Sequence, residues 1–434
     1  MSHGTEIRKT ALAALAERAL DISVKGLPPQ AQPLTLSAIA AKRWNVLRGD
    51  LTMPVAVLSR SALAHNSRWM RGFIEKNRLS IAPHGKTTLA PQLFDLQARD
   101  DAWAITVSNV QQMALCRAFG FDRILIANQV VGRAEIDYLF DELDRSAGLE
   151  IYCLVDSQEG VRRLATGSSG HRSAGRLGLL LEVGVAGGRS GARSLEAALT
   201  VAREVSANGL SLCGVEGFEG ILKTTEAVDA FLRFLAETAA ACHRENLFSG
   251  AGPVILSAGG TAYFDRVAVL LGRAGFGGDF RIVTRSGCYL THDSVVYERA
   301  LADMRARDSD HVLPTDGLRP ALSVWTIVQS RPEPGRAILA MGRRDVGFDA
   351  GLPVPLLWFS EGRHDRPAVI GQGYSVDTLF DQHAYLTCPA ASTIAVGDLV
   401  ACGISHPCTT FDKWQVLYVV DDDYNVVDAL KTFF

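Results

Sequence analysis

The feature that most constrains this 434-residue chain is an alternation of short apolar runs with amphipathic helical segments, repeated eight times between about residues 79 and 290. The runs are nearly unbroken rather than alternating with polar residues, which is typical of parallel strands that are buried on both faces. They read LSIAPH (79–84), AWAITVSN (102–109), RILIANQ (123–129), LEIYCLVD (149–156), LGLLLEVG (177–184), LCGVEGF (212–218), PVILSAGG (253–260) and FRIVTRSG (280–287).

Eight strand–helix units predict an α/β fold with a (β/α)8 barrel of the TIM type. A doubly wound open sheet is the alternative, but the number of repeats favours a closed barrel. After about residue 310 the chain changes to short β-rich runs divided by Pro, Gly and Asp, which predicts a second, antiparallel β domain. We therefore expect an N-terminal helical extension (1–32), a barrel (52–305) and a β domain built from residues 33–51 and 306–434.

Composition and charge exclude several classes of function. The apolar fraction is 47%, the formal net charge is -3, and no Lys/Arg-rich stripe suggests nucleic acid. The N-terminus lacks the apolar core of a signal peptide and no apolar run reaches membrane-spanning length, so we expect no membrane association. Eight cysteines are scattered without the density of a disulfide scaffold, which favours reduced thiols in a cytoplasmic protein.

Lys86 and His84 stand at the end of the first run. Active sites of βα barrels lie at the carboxyl ends of the strands, and a partly desolvated lysine there loses proton affinity, which suits Schiff-base chemistry. A solvated loop charge is the alternative for Lys86. Strand periodicity puts His84 on the same side as Lys86, as a candidate cofactor contact or a hydrogen-bonded wall residue.

Glycines end the seventh and eighth runs, at Gly259-Gly260-Thr261 and Ser286-Gly287. Glycines at a strand-to-helix junction let backbone N–H groups approach an anion, and strands seven and eight of βα barrels commonly hold a phosphate. Tight turns are the alternative explanation. A phosphate site combined with an imine-forming Lys86 indicates pyridoxal phosphate.

Two further charges belong to the predicted barrel mouth. Arg189 lies in a glycine-rich loop after the fifth run, where it can meet a cofactor oxygen or a substrate carboxylate, although a solvated arginine fits equally well. Glu219 follows the sixth run and is either a carboxylate of the mouth or a charge at a helix N-terminus.

The β domain contains the pair His406 and Cys408. Imidazole and thiolate both suit zinc, and a catalytic zinc site keeps a coordination position open for water or substrate. His383 is a third candidate in this region, in a catalytic role, with a hydrogen-bonded core histidine as the alternative.

The motifs PHGKTT (83–88), SAGGT (257–261), RSGCY (285–289) and HPCTTFDKW (406–414), in this order, resemble the D-serine dehydratase and D-threonine aldolase branch of the alanine-racemase-fold enzymes. These are fold-type III pyridoxal phosphate proteins, and the resemblance covers roughly residues 35–420. It implies that Lys86 carries the cofactor as an internal aldimine. It also implies that the glycine motifs, with the neighbouring Tyr289, hold its phosphate.

The same resemblance implies that His406 and Cys408 bind a divalent metal, with zinc favoured, and that the chain forms a homodimer. Dehydratases of this branch tend to have His and Cys, whereas aldolases tend to have His and Asp. Cys408 therefore favours dehydration of D-serine or a similar β-hydroxy D-amino acid to a keto acid and ammonia. The alternatives are a D-threonine aldolase and a non-catalytic barrel protein that binds pyridoxal phosphate.

Overall fold

The computed structural model describes residues 3–29, 34–272 and 279–434. The chain begins with helix α1 (His3–Ala16) and a short antiparallel pair, β1 (Ala19–Leu20) and β2 (Leu34–Thr35). Helix α1 packs against the barrel, since the Arg8 guanidinium lies 3.7 Å from the Asp95 carboxylate and over the Phe121 ring. The predicted boundary between residues 32 and 33 lies outside the described residues.

After β3 (Val55–Ser59) and α2 (Arg60–Asn77), eight parallel strands form the barrel. These strands are β4 (Ser80–Ile81), β5 (Ile105–Val107), β6 (Arg123–Gln129), β7 (Glu150–Val155), β8 (Gly178–Val183), β9 (Ser211–Gly217), β10 (Val254–Ser257) and β11 (Phe280–Thr284). Strand β11 pairs with β4. A parallel bridge between His84, just after β4, and Thr106 of β5 joins the two strands at the ends of the sheet order. The predicted (β/α)8 architecture is confirmed.

Helices alternate with the barrel strands. They are α3 (Pro91–Arg99), α4 (Val110–Ala118), α5 (Arg133–Arg145), α6 (Gln158–Ser168), α7 (Leu195–Ala207), α8 (Thr225–Arg244), α9 (Phe264–Leu270) and α10 (Val296–Ala306). Several begin at a residue whose side chain accepts a hydrogen bond from an N–H group of the first turn. Such N–H groups have no acceptor within the helix itself. These N-caps are Asn109, Ser157, Ser194 and Thr224.

The unbroken apolar runs follow from burial on both sides of the barrel wall. In β8, Leu180 belongs to the cluster inside the barrel, together with Leu125 of β6 and Leu154 of β7. Leu179 and Leu181 face the opposite way and join the larger core between strands and helices. Both faces therefore demand apolar side chains, and a polar residue in such a run is exceptional.

The β domain follows the barrel. Its elements are β12 (Leu322–Glu333), β13 (Arg336–Leu339), β14 (Val354–Phe359), β15 (Ala368–Val369), β16 (Ser375–Leu379), β17 (Ala384–Thr387), β18 (Leu399–Gly403), α11 (Pro407–Phe411), β19 (Val416–Val420) and β20 (Val426–Lys431). The sheet order is β15-β14-β18-β12-β13-β17-β16, and β19 pairs with β20.

Strand β3 corrects one predicted boundary. The sequence places residues 55–59 in the barrel unit, but β3 pairs antiparallel with β12 and parallel with β19, inside the β domain. The apolar run VAVLS reads the same in either sheet, so only the identity of its partner strands distinguishes the two positions.

Two further features of the chain are its lack of a membrane-spanning helix among the described residues and the state of its cysteines. Among the described residues, no helix combines the length and the apolar character needed to cross a bilayer. All eight cysteines are free thiols.

Candidate active site

Lys86 lies in a short 3-10 turn, Gly85–Thr87, called here the lysine turn, which follows β4 at the carboxyl end of the barrel. Gly85 is needed because a Cβ there would lie 3.0 Å from the Ile105 and Phe94 side chains. Thr87 is buried, whereas Lys86 is half-buried. The structure thus places Lys86 at the barrel mouth, the position that the sequence predicts.

His84 precedes the lysine turn and is held in its neutral form. Its Nδ1 is buried without a hydrogen-bond partner. Burial, together with the positive charges of Arg285, Lys86 and Arg189, lowers the pKa of His84 well below its usual range. The positive charges near this neutral imidazole favour an anionic ligand, although Arg285 is also paired with the buried Glu216 carboxylate.

Glu219 fixes the glycine loop, residues 257–261. Its fully buried carboxylate accepts the N–H groups of Gly259 and Gly260, at 3.1 and 2.7 Å. Ser286 Oγ donates to the Gly260 carbonyl at 3.1 Å and so joins the ends of β10 and β11. The two glycine N–H groups that the sequence assigns to a phosphate are thus engaged by Glu219, and these glycines shape the loop instead.

Other donors remain at the same place. The backbone N–H groups of Thr261, Ser286 and Gly287 donate to no acceptor within residues 3–29, 34–272 and 279–434. Gly287 lies against His84, since a Cβ on Gly287 would come within 2.6 Å of the His84 Cβ and carbonyl oxygen. The candidate phosphate donors therefore lie beside the lysine turn.

Tyr289 and Arg189 are the other two predicted cofactor contacts. Tyr289 is buried, packs in the large core and hydrogen-bonds Gln97 of α3, and burial raises the pKa of its hydroxyl. Arg189 is exposed in the loop after β8, with its guanidinium 5.6 Å from the centre of the Phe218 ring. Tyr289 thus packs in the protein core, whereas Arg189 lies on the exposed loop after β8.

The barrel also contains acidic residues that sequence reasoning did not select. Glu216 forms a buried ion pair with Arg285, and one atom of each, Glu216 Oε2 and Arg285 Nε, lacks a partner within the described residues. Burial raises the pKa of Glu216 to about 7, although the charge of Arg285 opposes this shift. Glu182 accepts a hydrogen bond from Ser190 Oγ at 2.8 Å. The sequence signal that could have identified Glu216 and Glu182 is a glutamate within an otherwise apolar strand.

These observations fit the cofactor that the sequence indicates. A half-buried lysine, free backbone donors at the glycine junctions and unpartnered buried atoms on His84, Glu216 and Arg285 suit a polar, phosphate-bearing ring. Buried polar atoms ordinarily have hydrogen-bond partners, so such exceptions mark a place for a ligand or for ordered water.

His406 and Cys408, the metal pair, stand at the start of α11 after β18. His406 Nδ1 lies 2.6 Å from the Asp349 carboxylate. Cys408 Sγ lies 3.5 Å from Thr87 Oγ1 and 3.8 Å from Cys288 Sγ. The β domain thus brings the metal pair into contact with the lysine turn.

The metal pair is held in a form that suits metal binding. Hydrogen bonds from Cys288 and His406 lower the pKa of the Cys408 thiol well below its usual range, against the opposing effect of burial. The hydrogen bond to Cys408, followed by Asp349, raises the pKa of His406 to about 9. The thiolate is the form of cysteine that binds metals. Within the described parts of the chain, no three His, Cys, Asp or Glu side chains surround a common point.

His383 is not joined to this pair. It lies exposed between β16 and β17, where its carbonyl accepts the Phe380 N–H, and no hydrogen bond or ion pair links its side chain to His406 or Cys408 within the described residues. The partner of His406 is instead Asp349, from the loop between β13 and β14. No sequence pattern identifies this loop carboxylate, because it lies 57 residues before His406 and belongs to no periodic element.

Sequence comparisons agree with the motifs. The family model described as "Putative serine dehydratase domain" matches residues 321–420. A D-threonine aldolase from Arthrobacter sp is 24% identical over 406 residues, which is 91% of this chain and 93% of that protein. A 3-hydroxy-D-aspartate aldolase from Paracoccus denitrificans (strain Pd 1222) is 24% identical over 327 residues, 73% of this chain and 77% of that protein.

Solved structures share the architecture. A D-threonine aldolase from Filomicrobium marinum superposes with a TM-score of 0.70 at 20% identity, covering 88% of this chain and 95% of that chain. For the D-threo-3-hydroxyaspartate dehydratase from Delftia sp. HT23 the TM-score is 0.69 at 20% identity, with 90% and 99% covered. The alanine racemase from Acinetobacter baumannii gives 0.56 at 14% identity, with 82% and 91% covered.

The chain is thus similar in sequence to a D-threonine aldolase and a 3-hydroxy-D-aspartate aldolase, and part of its β domain matches the serine dehydratase model. Its fold is that of alanine racemase, with a (β/α)8 barrel and an antiparallel β domain. The family model covers the metal pair but not the lysine turn or the glycine loop, which lie in the barrel.

Proposed function

We propose that this chain is a lyase dependent on pyridoxal phosphate and a divalent metal, which dehydrates D-serine or a similar β-hydroxy D-amino acid to a keto acid and ammonia. The observation that carries this proposal is the contact between Cys408 Sγ and Thr87 Oγ1, at 3.5 Å. Through it, a metal-binding pair from one unit lies directly beside the lysine turn of the other. A lyase acting at a substrate hydroxyl needs both groups in one place.

The barrel residues suggest how the cofactor would be used. When bound, pyridoxal phosphate acts as an electron sink for the bonds at the substrate α-carbon. Lys86 would hold its aldehyde carbon, and the amine released on substrate binding would then be available as the general base for the α-proton. The N–H groups of Thr261, Ser286 and Gly287 would hold the phosphate.

The metal pair suits a leaving hydroxyl group. His406 and Cys408 provide a nitrogen and a thiolate ligand, a combination that favours zinc. A zinc ion there would supply a Lewis acid for the substrate β-hydroxyl, which is otherwise a poor leaving group. Asp349 orients His406 from the opposite side of the ring.

Retro-aldol cleavage is the second candidate. Two sequence relatives are named as aldolases, of D-threonine and of 3-hydroxy-D-aspartate, and that outcome yields glycine and an aldehyde. The resemblance associates a His–Cys pair with dehydration and a His–Asp pair with cleavage, so dehydration remains our first choice.

The role of Lys86 is tested by trapping the imine. Borohydride reduction of the protein loaded with pyridoxal phosphate, followed by peptide mapping, should place the pyridoxyl group on Lys86. Lys86→Ala should abolish the label, whereas Lys42→Ala, at an exposed lysine, should retain it. A label on another residue would contradict the proposal.

The reaction is tested by product analysis. Both enantiomers of serine and threonine, and D-threo-3-hydroxyaspartate, are incubated with the enzyme with and without zinc. We expect keto acid and ammonia from a D-substrate, with turnover lost after chelation. Glycine plus an aldehyde would establish the aldolase instead, and full turnover by the metal-free enzyme would remove the metal from the proposal.

We also propose that the chain forms a homodimer, in line with the family that its motifs resemble. Sedimentation equilibrium at micromolar concentration should give twice the chain mass of 46.8 kDa. A monomer under these conditions would contradict this part.

A further inference from the structure

We propose that Cys288, in the barrel, is a third protein ligand of the metal held by His406 and Cys408. This inference rests on the proposed metal dependence and deepens it. Cys288 follows Gly287 at the end of the eighth barrel strand, and its side chain is buried, with 4% of the residue exposed. Nothing in the H-x-C spacing of the metal pair points to it, because it lies 120 residues away from Cys408.

The distance between the two sulfurs matches shared coordination. Cys288 Sγ and Cys408 Sγ are 3.8 Å apart. Two thiolates bound at about 2.3 Å to one tetrahedral zinc ion also lie about 3.8 Å apart, from the bond length and the tetrahedral angle. A metal ion can therefore bridge the two sulfurs without changing their separation.

The neighbouring residues hold both sulfurs in place. Thr87 Oγ1 lies 3.6 Å from Cys288 Sγ and 3.5 Å from Cys408 Sγ, so one hydroxyl contacts both. Asp349 engages His406 Nδ1, which leaves Nε2 as the nitrogen available to a metal. A carboxylate on the second ring nitrogen is the usual companion of a metal-binding histidine.

Within the described residues, the side chains of His406, Cys408 and Cys288 do not surround a common point. The proposal therefore requires these side chains to adjust when the metal binds. Metal binding would displace the proton of Cys288 to solvent, since only the thiolate coordinates. Two thiolates and one imidazole then leave one tetrahedral position for the substrate hydroxyl, the ligand count of a catalytic zinc site.

Cobalt substitution tests the number of thiolates. Under reducing conditions, the near-ultraviolet sulfur-to-cobalt charge-transfer band of the Co²⁺ protein should fall to about half in Cys288→Ser. The matched control is Cys402→Ser, which alters a buried thiol of β18 and should leave the band unchanged. We also expect metal binding by Cys288→Ser, measured by competition with a chromophoric chelator, to weaken by more than the roughly 10- to 100-fold that loss of a hydrogen-bond partner of a ligand costs. An unchanged band would overturn the proposal, whatever the affinity.

X-ray absorption at the zinc edge of the unmutated, zinc-loaded protein requires no variant to fold. Two sulfur scatterers at about 2.3 Å would support Cys288 as a ligand. One sulfur would overturn this inference while leaving the His406–Cys408 site intact, and absence of bound zinc would overturn both. A disulfide between Cys288 and Cys408 in the zinc-loaded protein, found by non-reducing peptide mapping, would also overturn it.

Discussion

Glu219 shows how a single buried carboxylate can fix the backbone of a candidate binding loop. It takes up the two N–H groups of the glycine loop, and its own burial is complete. Glu219 thereby fixes the backbone of the loop at Gly259, whose φ of +95° favours glycine. At this position the sequence left two roles open, and the structure shows a third.

Replacing Glu219 by Gln tests this role. One carboxylate oxygen becomes an amide NH2, which faces a backbone N–H and leaves a buried donor unsatisfied. We expect a loss of roughly 1–3 kcal/mol in the free energy of unfolding, and weaker pyridoxal phosphate binding in a titration. Glu237→Gln, at an exposed glutamate in the middle of α8, is the control and should change neither quantity. Equal behaviour of the two variants would contradict the role.

The buried His292 is expected to make the stability of the protein depend on pH. It is 1% exposed, and burial lowers its pKa to about 4, despite the exposed Glu298 carboxylate 3.3 Å away. A histidine with a lowered pKa in the folded state stabilises the fold above its unfolded pKa of about 6.5. That stability is lost as the pH falls toward 4, by up to about 3 kcal/mol at 1.36 kcal/mol per pKa unit.

Urea unfolding between pH 7 and pH 4 measures this loss. His292→Asn should flatten the acid side of the profile, and asparagine tolerates the φ of +46° at this position. His311 also has a left-handed φ, of +52°, but is exposed. His311→Asn should keep the steep profile of the unmutated protein, and a steep profile in His292→Asn would exclude His292 as its source.

At the scale of elements, the barrel could be predicted because each of its strands is recognised from its own short stretch of sequence. Each strand is an unbroken apolar run, and the topology places all strand ends on one face. Lys86 and the glycine junctions follow from that rule alone. Strand β3 and Asp349 could not be predicted, because their positions depend on which distant segment pairs with them, and neither the VAVLS run nor a loop aspartate encodes a partner.

The junction of β4 and β11 gives a prediction at this scale. Gly287→Ala would place a methyl group 2.6 Å from His84, against backbone atoms that cannot rotate away. We expect the ends of the two strands to separate, with a loss of roughly 1–3 kcal/mol in unfolding free energy and a lower affinity for pyridoxal phosphate. Gly148→Ala, which has no heavy atom within 4 Å of the added Cβ, should be tolerated. If both variants bind the cofactor equally well, this junction does not form the site.

At the scale of the whole molecule, the N-terminal residues connect the two units. Helix α1 packs on the barrel through Arg8, whereas Lys25 lies on the β domain. The Lys25 amine lies 2.7 Å from the buried Asp345 carboxylate and 3.9 Å from the centre of the Trp414 ring. Trp414 lies just after α11, the helix that begins at the metal pair, so the Lys25 contact is close in sequence to the candidate metal site.

Lys25→Met tests the connection. It removes the charge but keeps most of the aliphatic stem, and it leaves Asp345 buried without its cation. We expect roughly 1–3 kcal/mol lower unfolding free energy at pH 7, measured with urea. Lys42→Met, at an exposed lysine, is the control for loss of one positive charge. A loss no larger than that of the control would show that the contact contributes nothing.

The lysine turn and the metal pair belong to different units, and Thr87 Oγ1 of the turn contacts Cys408 Sγ of the pair and the neighbouring Cys288 Sγ. The proposed reaction therefore depends on how the two units dock, because each unit supplies only part of the proposed site. A fragment of residues 321–420, which the family model matches, would contain the metal pair but lack the lysine turn.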